Sequence, residues 1–481
     1  MTTNTQERGS TSLRRSSISV FGGLAISIGY MGPTAGIAII PAIMAGYIGD
    51  AGVIGFAVGL VLGLCIAYSF ILFTRHFIHA GSVYQYNGRA LGAAYGFVSV
   101  WILFFAYTLF CAATASQTAG YIKATWSQTS GVPWLVFTLA ALAVAVFLTA
   151  RSIRLSAVFV AIVEGVGLIL VLIVGIAVLS KGGYHGTRLT SNFFDIRGFP
   201  IHVVALGAIL AFLGFTGFEA ASTLSEETKH AFKNVPIAIV SSLVAAAIAY
   251  IYGDLIETAA FPSSKALASS SAPLLYASSH YLSSSLVPVL GAATVLSAFG
   301  AVVATLNGAT RLLYAVGRDG FISSRLGRTS TSKQTPTTAL AIVAGIAVII
   351  VVAQGFEAPT SVFSYMSTLG TLAELAMYVM TLVAAVVFLR GLVGSRLVTR
   401  IAGSAVLVIG IAGTGYGLYT TVWPVPPFPL NILSYIAVAW LLLGVAIISV
   451  KPGLRARLAQ SSLLRLEGAA DVDALKPTPS T

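Results

Sequence analysis

The segment Ser17–Ala45 reads SISVFGGLAISIGYMGPTAGIAIIPAIMA and contains no charged side chain. A helix crosses the roughly 30 Å hydrocarbon core of a bilayer with about 20 apolar residues, so this run is long enough to span a membrane. Its middle, from Gly29 to Gly36, holds three glycines and Pro33. Glycine weakens a helix and proline removes a backbone donor, so the pattern predicts an interruption at membrane depth.

The composition of the whole chain agrees with this segment. Only 9% of the 481 residues are charged and 57% are hydrophobic, whereas soluble domains carry about 25% charged residues. A soluble enzyme of this length has too few charges here to cover its surface, and disordered or fibrous chains need low hydrophobicity or a biased repeat. The composition predicts an all-α polytopic membrane protein embedded in a lipid bilayer.

Long apolar runs recur along the chain, and from them we predict twelve transmembrane helices. Continuous runs favour helices over the alternating ten-residue strands of a membrane barrel. The predicted spans are Ser17–Ala45, Gly52–Phe73, Ala93–Gly120, Val132–Thr149, Leu155–Ser180, Val203–Leu224, Ile237–Ala260, Val287–Val316, Thr338–Ala353, Ser361–Leu389, Ile401–Val422 and Ile432–Val450. A short interfacial helix is also predicted around Pro273–Leu282, in the Ser-rich segment after the seventh span.

The basic residues predict the orientation of these spans. With the amino terminus in the cytoplasm, 22 of the 27 lysines and arginines fall on the cytoplasmic side, as the positive-inside rule requires. The net charge of +12 is therefore interpreted as a consequence of topology, and no nucleic-acid partner is predicted. We expect a plasma-membrane protein with both termini cytoplasmic. Cys65 and Cys111 lie in apolar runs and the histidines lie at or outside span ends, so no metal site or cofactor is predicted.

The sixth span carries a second interruption, at Gly214-Phe215-Thr216-Gly217-Phe218-Glu219. Backbone groups freed at membrane depth are tolerated where they face protein or a water-filled cavity. Two interrupted helices, five spans apart, are typical of the binding site in an inverted-repeat transporter. Free N–H groups near Gly36 suit a carboxylate, and free carbonyls between Gly214 and Gly217 suit an ammonium group.

Several short motifs follow one another along more than 300 residues. They are Gly36-Ile-Ala-Ile-Ile-Pro41, Ala80-Gly-Ser-Val-Tyr-Gln-Tyr86, Phe215-Thr-Gly-Phe-Glu219, Lys233-Asn-Val-Pro-Ile-Ala-Ile239, Gly308-Ala-Thr-Arg-Leu-Leu-Tyr-Ala315, Gly317-Arg-Asp-Gly320 and Thr335-Pro336. In sequence and spacing they resemble the motifs of the amino acid–polyamine–organocation permeases, a family of secondary amino-acid transporters.

The resemblance implies a five-plus-five inverted repeat, the leucine-transporter-like fold, with two appended helices. It implies an amino-acid substrate held between broken helices 1 and 6 and moved by alternating access. The expected divisions are a cytoplasmic tail over 1–16, repeats over 17–200 and 201–391, helices 11 and 12 over 392–454, and a cytoplasmic tail over 455–481.

The candidate substrate contacts lie at or beside the two breaks. The resemblance assigns the substrate carboxylate to the backbone of residues 34–36 and the amino group to residues 215–217, with an aromatic gate at position 212 or 218. Two residues that border the first break are candidates on position alone, with packing as the alternative interpretation. The full set is Tyr30, Met31, Thr34, Ala35, Gly36, Phe212, Phe215, Thr216, Gly217 and Phe218.

Acidic residues inside the spans are expensive and mark functional sites by default. Glu164 lies in the middle of the fifth span, where many proton-coupled members of the family carry a lysine. It is the leading candidate for a proton carrier, and a structural hydrogen bond to a helix-1 carbonyl is the alternative. Glu219 follows the second break and suits gating or pairing with a cationic substrate.

Other polar residues have more open interpretations. Glu374 either lines the outer vestibule or pairs locally, and Asn307 either helps with coupling or joins helices through polar contacts. Asp254 and Glu257 are expected at a solvated outer rim, and His79 in a solvated loop.

The leading functional hypothesis is a secondary transporter of amino acids, driven by proton symport or by exchange. Sodium stays open as the coupling ion, because its ligands would be carbonyls and hydroxyls that composition does not reveal. A carrier of polyamines or organic cations is the alternative, and an ion channel or a membrane enzyme is more remote. The aromatic pocket with Glu219 as its acid favours neutral or cationic substrates.

Overall fold

The computed structural model describes residues 12–186, 191–330, 333–392 and 397–450. The predicted carboxy-terminal tail and most of the amino-terminal tail lie outside these residues. Within them the chain forms eighteen α-helices and several single turns of 3₁₀ helix, and no strand longer than an isolated bridge. The prediction of an all-α protein is confirmed.

The helices of the first half of the chain extend to the second break. They are α1 Val20–Met31, α2 Pro33–Ile37, α3 Ile40–Ile48, α4 Gly52–Thr74, α5 Val83–Leu91, α6 Ala93–Thr125, α7 Trp134–Arg151, α8 Ile153–Ser180 and α9 Ile201–Leu213.

The second half begins beyond that break. Its helices are α10 Ala220–Thr223, α11 Ala231–Ala260, α12 Ser264–Ala268, α13 Pro273–Tyr281, α14 Val287–Arg318, α15 Thr337–Ala353, α16 Pro359–Gly391, α17 Leu397–Val422 and α18 Leu430–Val450. The helix α13 occupies the place of the predicted interfacial helix, whereas α5 was not expected from the sequence.

Ten helical stretches among the described residues are long and apolar enough to cross a membrane. Two further apolar helices, α9 and α15, are shorter, with 13 and 17 residues. The helix α9 is short because its predicted span is interrupted at its end. Exposed aliphatic side chains cover α17 and α18, which is the surface expected of helices that face lipid.

The helix is interrupted at both predicted places. Between α1 and α2, Gly32 adopts a left-handed conformation with φ +52° and ψ 56°, and Pro33 begins α2. Proline is favoured at a helix start because its missing N–H needs no partner there. Between α9 and α10 the chain forms irregular turns, and Gly217 has a φ of +98°. The predicted first span is thus three helices, and the sixth is two.

The packing places both breaks in the interior. The helix α1 packs against α8, α11 and α14, and the long helix α6 packs along α14 and α16. The breaks are therefore enclosed by α6, α8, α11, α14 and α16, and their free backbone groups meet side chains from these helices.

Candidate functional site

Two tyrosines satisfy the backbone carbonyls at the first break. The Tyr250 hydroxyl donates to the carbonyl of Met31 at 2.9 Å, and the Tyr121 hydroxyl donates to that of Ala35 at 2.7 Å. A side chain at Gly36 would place its Cβ 2.3 Å from the Tyr250 hydroxyl, so the close approach requires glycine. The carbonyl groups of this break therefore have partners inside the protein.

The N–H groups at the start of α2 meet a carboxylate from α8. Glu164 Oε2 accepts hydrogen bonds from the backbone N–H and the hydroxyl of Thr34, at 3.4 and 3.1 Å. Its other oxygen, Oε1, accepts from the Ser297 hydroxyl at 2.6 Å, and Ser297 Oγ accepts from the N–H of Ala35 at 3.0 Å. The start of a helix suits an acceptor or an anion, and here a carboxyl group of the protein itself occupies that place.

This geometry corrects one alternative raised by the sequence. Glu164 does hydrogen-bond helix 1, but through a backbone N–H and a hydroxyl and not through a carbonyl. The physical reason is that the start of α2 turns donors, a backbone N–H and a hydroxyl, toward the Glu164 oxygens. Glu164 is 2% exposed and is reached by three donors from two other helices.

The second break is tied to α1 by a serine. The Ser27 hydroxyl donates to the carbonyl of Phe218 at 2.9 Å and accepts from the N–H of Ala221 at 3.0 Å. The ring of Tyr30 lies on Gly217, where a Cβ would come within 1.8 Å of the ring carbon Cδ1. The two interrupted helices therefore contact each other directly.

A carboxylate stands at the end of the second break. Glu219 is fully buried, and its two oxygens accept hydrogen bonds from the hydroxyls of Tyr107 on α6 and Tyr378 on α16, each at 2.8 Å. These donors hold the carboxylate in one orientation, facing the space between α6 and α16.

A second buried carboxyl lies beside Glu219. Glu374 of α16 is fully buried, next to Glu219, Thr216 and Tyr378, yet neither of its oxygens forms a well-aligned hydrogen bond. The hydroxyl of Tyr30 is also buried without a partner. Buried polar atoms are normally paired, so this cluster has unused acceptor capacity at the meeting point of the two breaks.

Aromatic rings divide the surroundings of the second break into two sides. Phe212 and Phe218 lie against Tyr378, with ring centroids 6.1 and 5.8 Å apart, on the side of the acid pair. Phe215 packs instead against Phe56 and Tyr250, at 6.1 and 5.6 Å. Positions 212 and 218, and not 215, therefore border the carboxyl cluster.

Asn307 is not brought to the breaks. Its side-chain amide donates to Thr149 of α7 at 3.2 Å, and its Oδ1 accepts from Arg311 at 2.9 Å. It serves as a polar contact between helices, which is the alternative that the sequence left open.

The expectation that Asp254 and Glu257 form a solvated rim is wrong. They are 1% and 0% exposed, because α11 is packed between α1, α4 and α8 and turns this face inward. A Cβ on Gly52 of α4 would lie 2.2 Å from Asp254 Oδ1, which shows how closely the two helices approach.

One end of the bundle is closed by ion pairs of Arg311 and Arg318, two arginines that the sequence suggested for a structural ion pair with Asp319, but whose glutamate partners it did not reveal. Arg311 of α14 donates to both oxygens of Glu227, at 2.5 and 3.1 Å, and all of these groups are buried. Arg318 donates to both oxygens of Glu226 at 2.7 and 2.8 Å. His79, expected in solvent, is 2% exposed and contacts Arg318 at 2.9 Å, so that expectation is also wrong.

The ion pairs also influence ionisation at this end. Burial disfavours the charged form of Glu226, but the hydrogen bonds from Arg318 and the charge of His79 outweigh it and hold the pKa of the Glu226 carboxyl below its ordinary value. The N–H groups of Ser17 and Ile18 donate to the carbonyl of Glu227 at 2.8 and 3.0 Å. The start of α1 is thus fastened to the same loop.

Residues that the sequence did not single out complete the site, above all Ser27, Tyr107, Ser297 and Tyr378. Each is a hydroxyl-bearing residue within an apolar span, one or more turns from a span end. That position was the available signal, but many hydroxyls in membrane helices bond their own helix, as Thr305 does with the carbonyl of Ala301 at 2.7 Å.

The chain is also similar to proteins of known families. A profile described as amino acid permease matches residues 18–448. The chain belongs to the amino acid permease family. Members of this family are permeases and not enzymes, and the long apolar helices agree with a multi-pass membrane protein.

Individual relatives of this permease differ in their named substrates. It is 26% identical to the methylthioribose transporter of Bacillus subtilis (strain 168), over 60% of this chain and 64% of the relative. It is 25% identical to the branched-chain amino acid permease BcaP of the same organism, with the same shares covered. It is also 25% identical to the low-affinity putrescine importer PlaP of Escherichia coli (strain K12), over 62% of this chain and 66% of the relative. Each match thus covers just under two thirds of the relative.

Proposed function

We propose that this permease is a secondary transporter that moves an amino acid or an amine across the plasma membrane by alternating access. One observation carries the proposal: the buried carboxyl of Glu374, with two unused acceptor oxygens, stands beside Glu219 where two interrupted helices meet. Freed backbone groups and buried acids at such a point are typical of substrate sites in inverted-repeat transporters.

The proposed architecture follows the family. It has twelve crossings, with α9 and α15 included, arranged as a five-plus-five repeat over 17–200 and 201–391 with two appended helices. Both termini are cytoplasmic in this proposal, because that orientation places most basic residues inside. The ion pairs of Arg311 and Arg318 then close the cytoplasmic end.

The ammonium group of the substrate is proposed to bind at the acid pair. An ammonium has three donors, and Glu374 offers two buried oxygens that form no well-aligned hydrogen bond within the protein. Glu219, oriented by Tyr107 and Tyr378, is the second acidic group beside it. Phe212 and Phe218 line the apolar side.

Glu164 is the proposed proton site. In its ionised form it joins α8 to the start of α2 and, through Ser297, to α14. Protonation turns one of its oxygens into a donor, so at least one of these hydrogen bonds must reverse its direction or be lost. Proton binding would thus loosen the contact at the first break, which is the coupling that symport requires.

The test is uptake of labelled amino acids and amines into proteoliposomes, with and without an inward proton gradient. We expect saturable uptake that rises with the gradient and falls at least about tenfold in Glu374→Gln, since a charge-assisted hydrogen bond contributes about 1.5–3 kcal/mol. Glu257→Gln is the matched control, because Glu257 is equally buried with no hydrogen-bond partner for its carboxyl oxygens but lies on α11. Equal loss in both variants, or non-saturable flux as in a channel, contradicts the proposal.

A second candidate, an amine carrier, is favoured by a specific contact. The N–H groups of Thr34 and Ala35, which the family resemblance assigns to the substrate carboxylate, already bind Glu164 and Ser297. A substrate with an ammonium group and no carboxylate is complementary to this arrangement. The similarity to a putrescine importer agrees with it.

Matched ligand pairs separate the two candidates. Lysine and cadaverine, or ornithine and putrescine, differ only by one carboxylate. An amine carrier takes up cadaverine and putrescine in preference to lysine and ornithine, and Glu164→Gln reduces that preference. Preferred uptake of the amino acids rules out the amine carrier while leaving the transporter proposal intact.

A further inference from the structure

A cavity of about 560 Å³, separate from the site between the breaks, lies at the end of the bundle where α1 and α8 begin. It is bordered by the segment that precedes α1, by the first turns of α8 and by two loops. Five cationic side chains line it: Arg14, Arg15, Arg154, Lys229 and Lys333.

The positive charge of this basic cavity has no partner in the described part of the protein. Glu227 is the one acid among its lining residues, and both of its oxygens are held by Arg311. No ion pair within the described ranges involves any of the five cationic side chains. A concave site with charge of one sign raises the local concentration of ligands of the opposite sign.

Two helix starts add to this field. Ser19 caps α1 by accepting from the N–H of Gly22 at 3.4 Å, and Ser152 caps α8 by accepting from that of Leu155 at 3.1 Å. Ser19, Gly22 and Ser152 all line the cavity. The first turns of both helices therefore present their positive ends to it.

The cavity continues onto an apolar outer surface. Phe21 and Val158 line it and are 76% and 48% exposed. One turn farther along α8, Ile162 is 60% exposed. A ligand that fills the basic part can thus extend an apolar portion along α1 and α8, in the direction of the hydrocarbon core.

We propose that the basic cavity binds the phosphate headgroup of an anionic phospholipid from the cytoplasmic leaflet, with its acyl chains along Phe21 and Val158. Basic pockets between membrane helices on the cytoplasmic side suit such headgroups. Inorganic phosphate carries the same kind of charge but has no acyl chains. The exposed apolar residues at the edge of the cavity therefore favour a phospholipid over free phosphate as the ligand. The ligand would join the start of α1, the first interrupted helix, to the start of α8, which carries Glu164.

The experiment uses the full-length protein purified in a neutral detergent. Its unfolding temperature is measured with added phosphatidylglycerol, phosphatidylcholine or inorganic phosphate, and bound lipid is counted by native mass spectrometry. We expect stabilisation by phosphatidylglycerol at concentrations where the other two have little effect, because a ligand that binds only the native state stabilises it by an amount that grows with the logarithm of the ligand concentration relative to its Kd.

Two double variants of exposed residues test the position. Arg15→Gln/Arg154→Gln should weaken phosphatidylglycerol binding about tenfold or more, since each basic residue near an anionic surface contributes about 1 kcal/mol. Arg325→Gln/Arg328→Gln removes the same charge outside the cavity and should leave binding nearly unchanged. Equal weakening in both, equal stabilisation by phosphatidylcholine, or a full effect of inorganic phosphate alone overturns the proposal.

Discussion

Gly217 shows how a single residue can determine the contact between the two interrupted helices. Its φ of +98° is strained for a residue with a side chain, and the Tyr30 ring occupies the place of a Cβ. We predict that Gly217→Ala lowers the free energy of unfolding by about 2 kcal/mol or more, because backbone strain and overpacking add. Thermal unfolding in detergent measures this loss.

The control for this substitution is Gly165→Ala. Gly165 lies in α8, and a Cβ there meets no atom within 4 Å. Alanine is the better helix former, so this variant should be as stable as the wild type or slightly more stable. Similar losses in both variants would show that the contact between Tyr30 and Gly217 is not tight.

The residues of the site were predictable to the extent that they were charged. Glu164 and Glu219 stood out because acids are rare and costly inside apolar spans. Their partners Ser297 and Tyr378 did not, because a serine hydroxyl in a membrane helix has a ready acceptor in its own backbone, and an aromatic residue in a helix bundle usually serves packing. Which hydroxyls face a neighbour depends on helix rotation, and a helix that is apolar all round does not reveal its rotation through its pattern.

At the scale of elements, the pair of Arg311 and Glu227 joins α14 to the loop between α10 and α11. Both side chains are 2–3% exposed. We predict that Arg311→Met and Glu227→Leu each lower stability by about 3–5 kcal/mol, because each leaves a buried charge unpaired. The double variant should lose much less than the sum, since an apolar pair of similar volume restores neutrality. Additive losses in a double-mutant cycle would contradict a direct interaction.

The neighbouring pair of Glu226 and Arg318 predicts a pH dependence. The pKa of Glu226 is lowered in the folded state. Its contribution to the free energy of unfolding is therefore fully present above the ordinary carboxyl pKa of about 4.3, and it is lost as the pH falls through the lower pKa of the folded state. At pH 7 the wild type should unfold at a higher temperature than Glu226→Gln. The difference should shrink below about pH 4. A difference that is constant down to pH 3 would exclude this ionisation as its source.

The elements themselves were largely predictable, since hydrophobic length places long helices such as α8 and α14 within a few residues of their predicted ends. The amphipathic helix α5, in the loop after α4, was missed because it is too short and too polar to register as a span. Pro33 and the nearby glycines revealed the first break, because both residue types act on the backbone locally.

At the scale of the whole molecule, the composition predicted that the protein lies in a membrane, but it did not predict which polar residues lie inside the helix bundle. Asp254 and Glu257 were assigned to the rim from their position near a span end, yet α11 turns them into the bundle. Such burial depends on how α1, α4 and α8 surround α11, and one sequence contains no record of that packing. The orientation of the chain in the membrane, in contrast, is predicted from the distribution of all the basic residues, and this prediction can be tested directly.

Single cysteines should report which side of the membrane each loop occupies. Lys265 and Arg325 are exposed, and the predicted topology places them on opposite sides of the membrane. The native Cys65 and Cys111 are buried, so we expect little background labelling from them. We predict that a membrane-impermeant thiol reagent labels Lys265→Cys in intact cells, and labels Arg325→Cys only after permeabilisation. The reverse pattern would invert the orientation and place the basic cavity outside the cell. Labelling of both in intact cells would put the two positions on one side of the membrane, with an even number of crossings between them, and would contradict α14 as a single span.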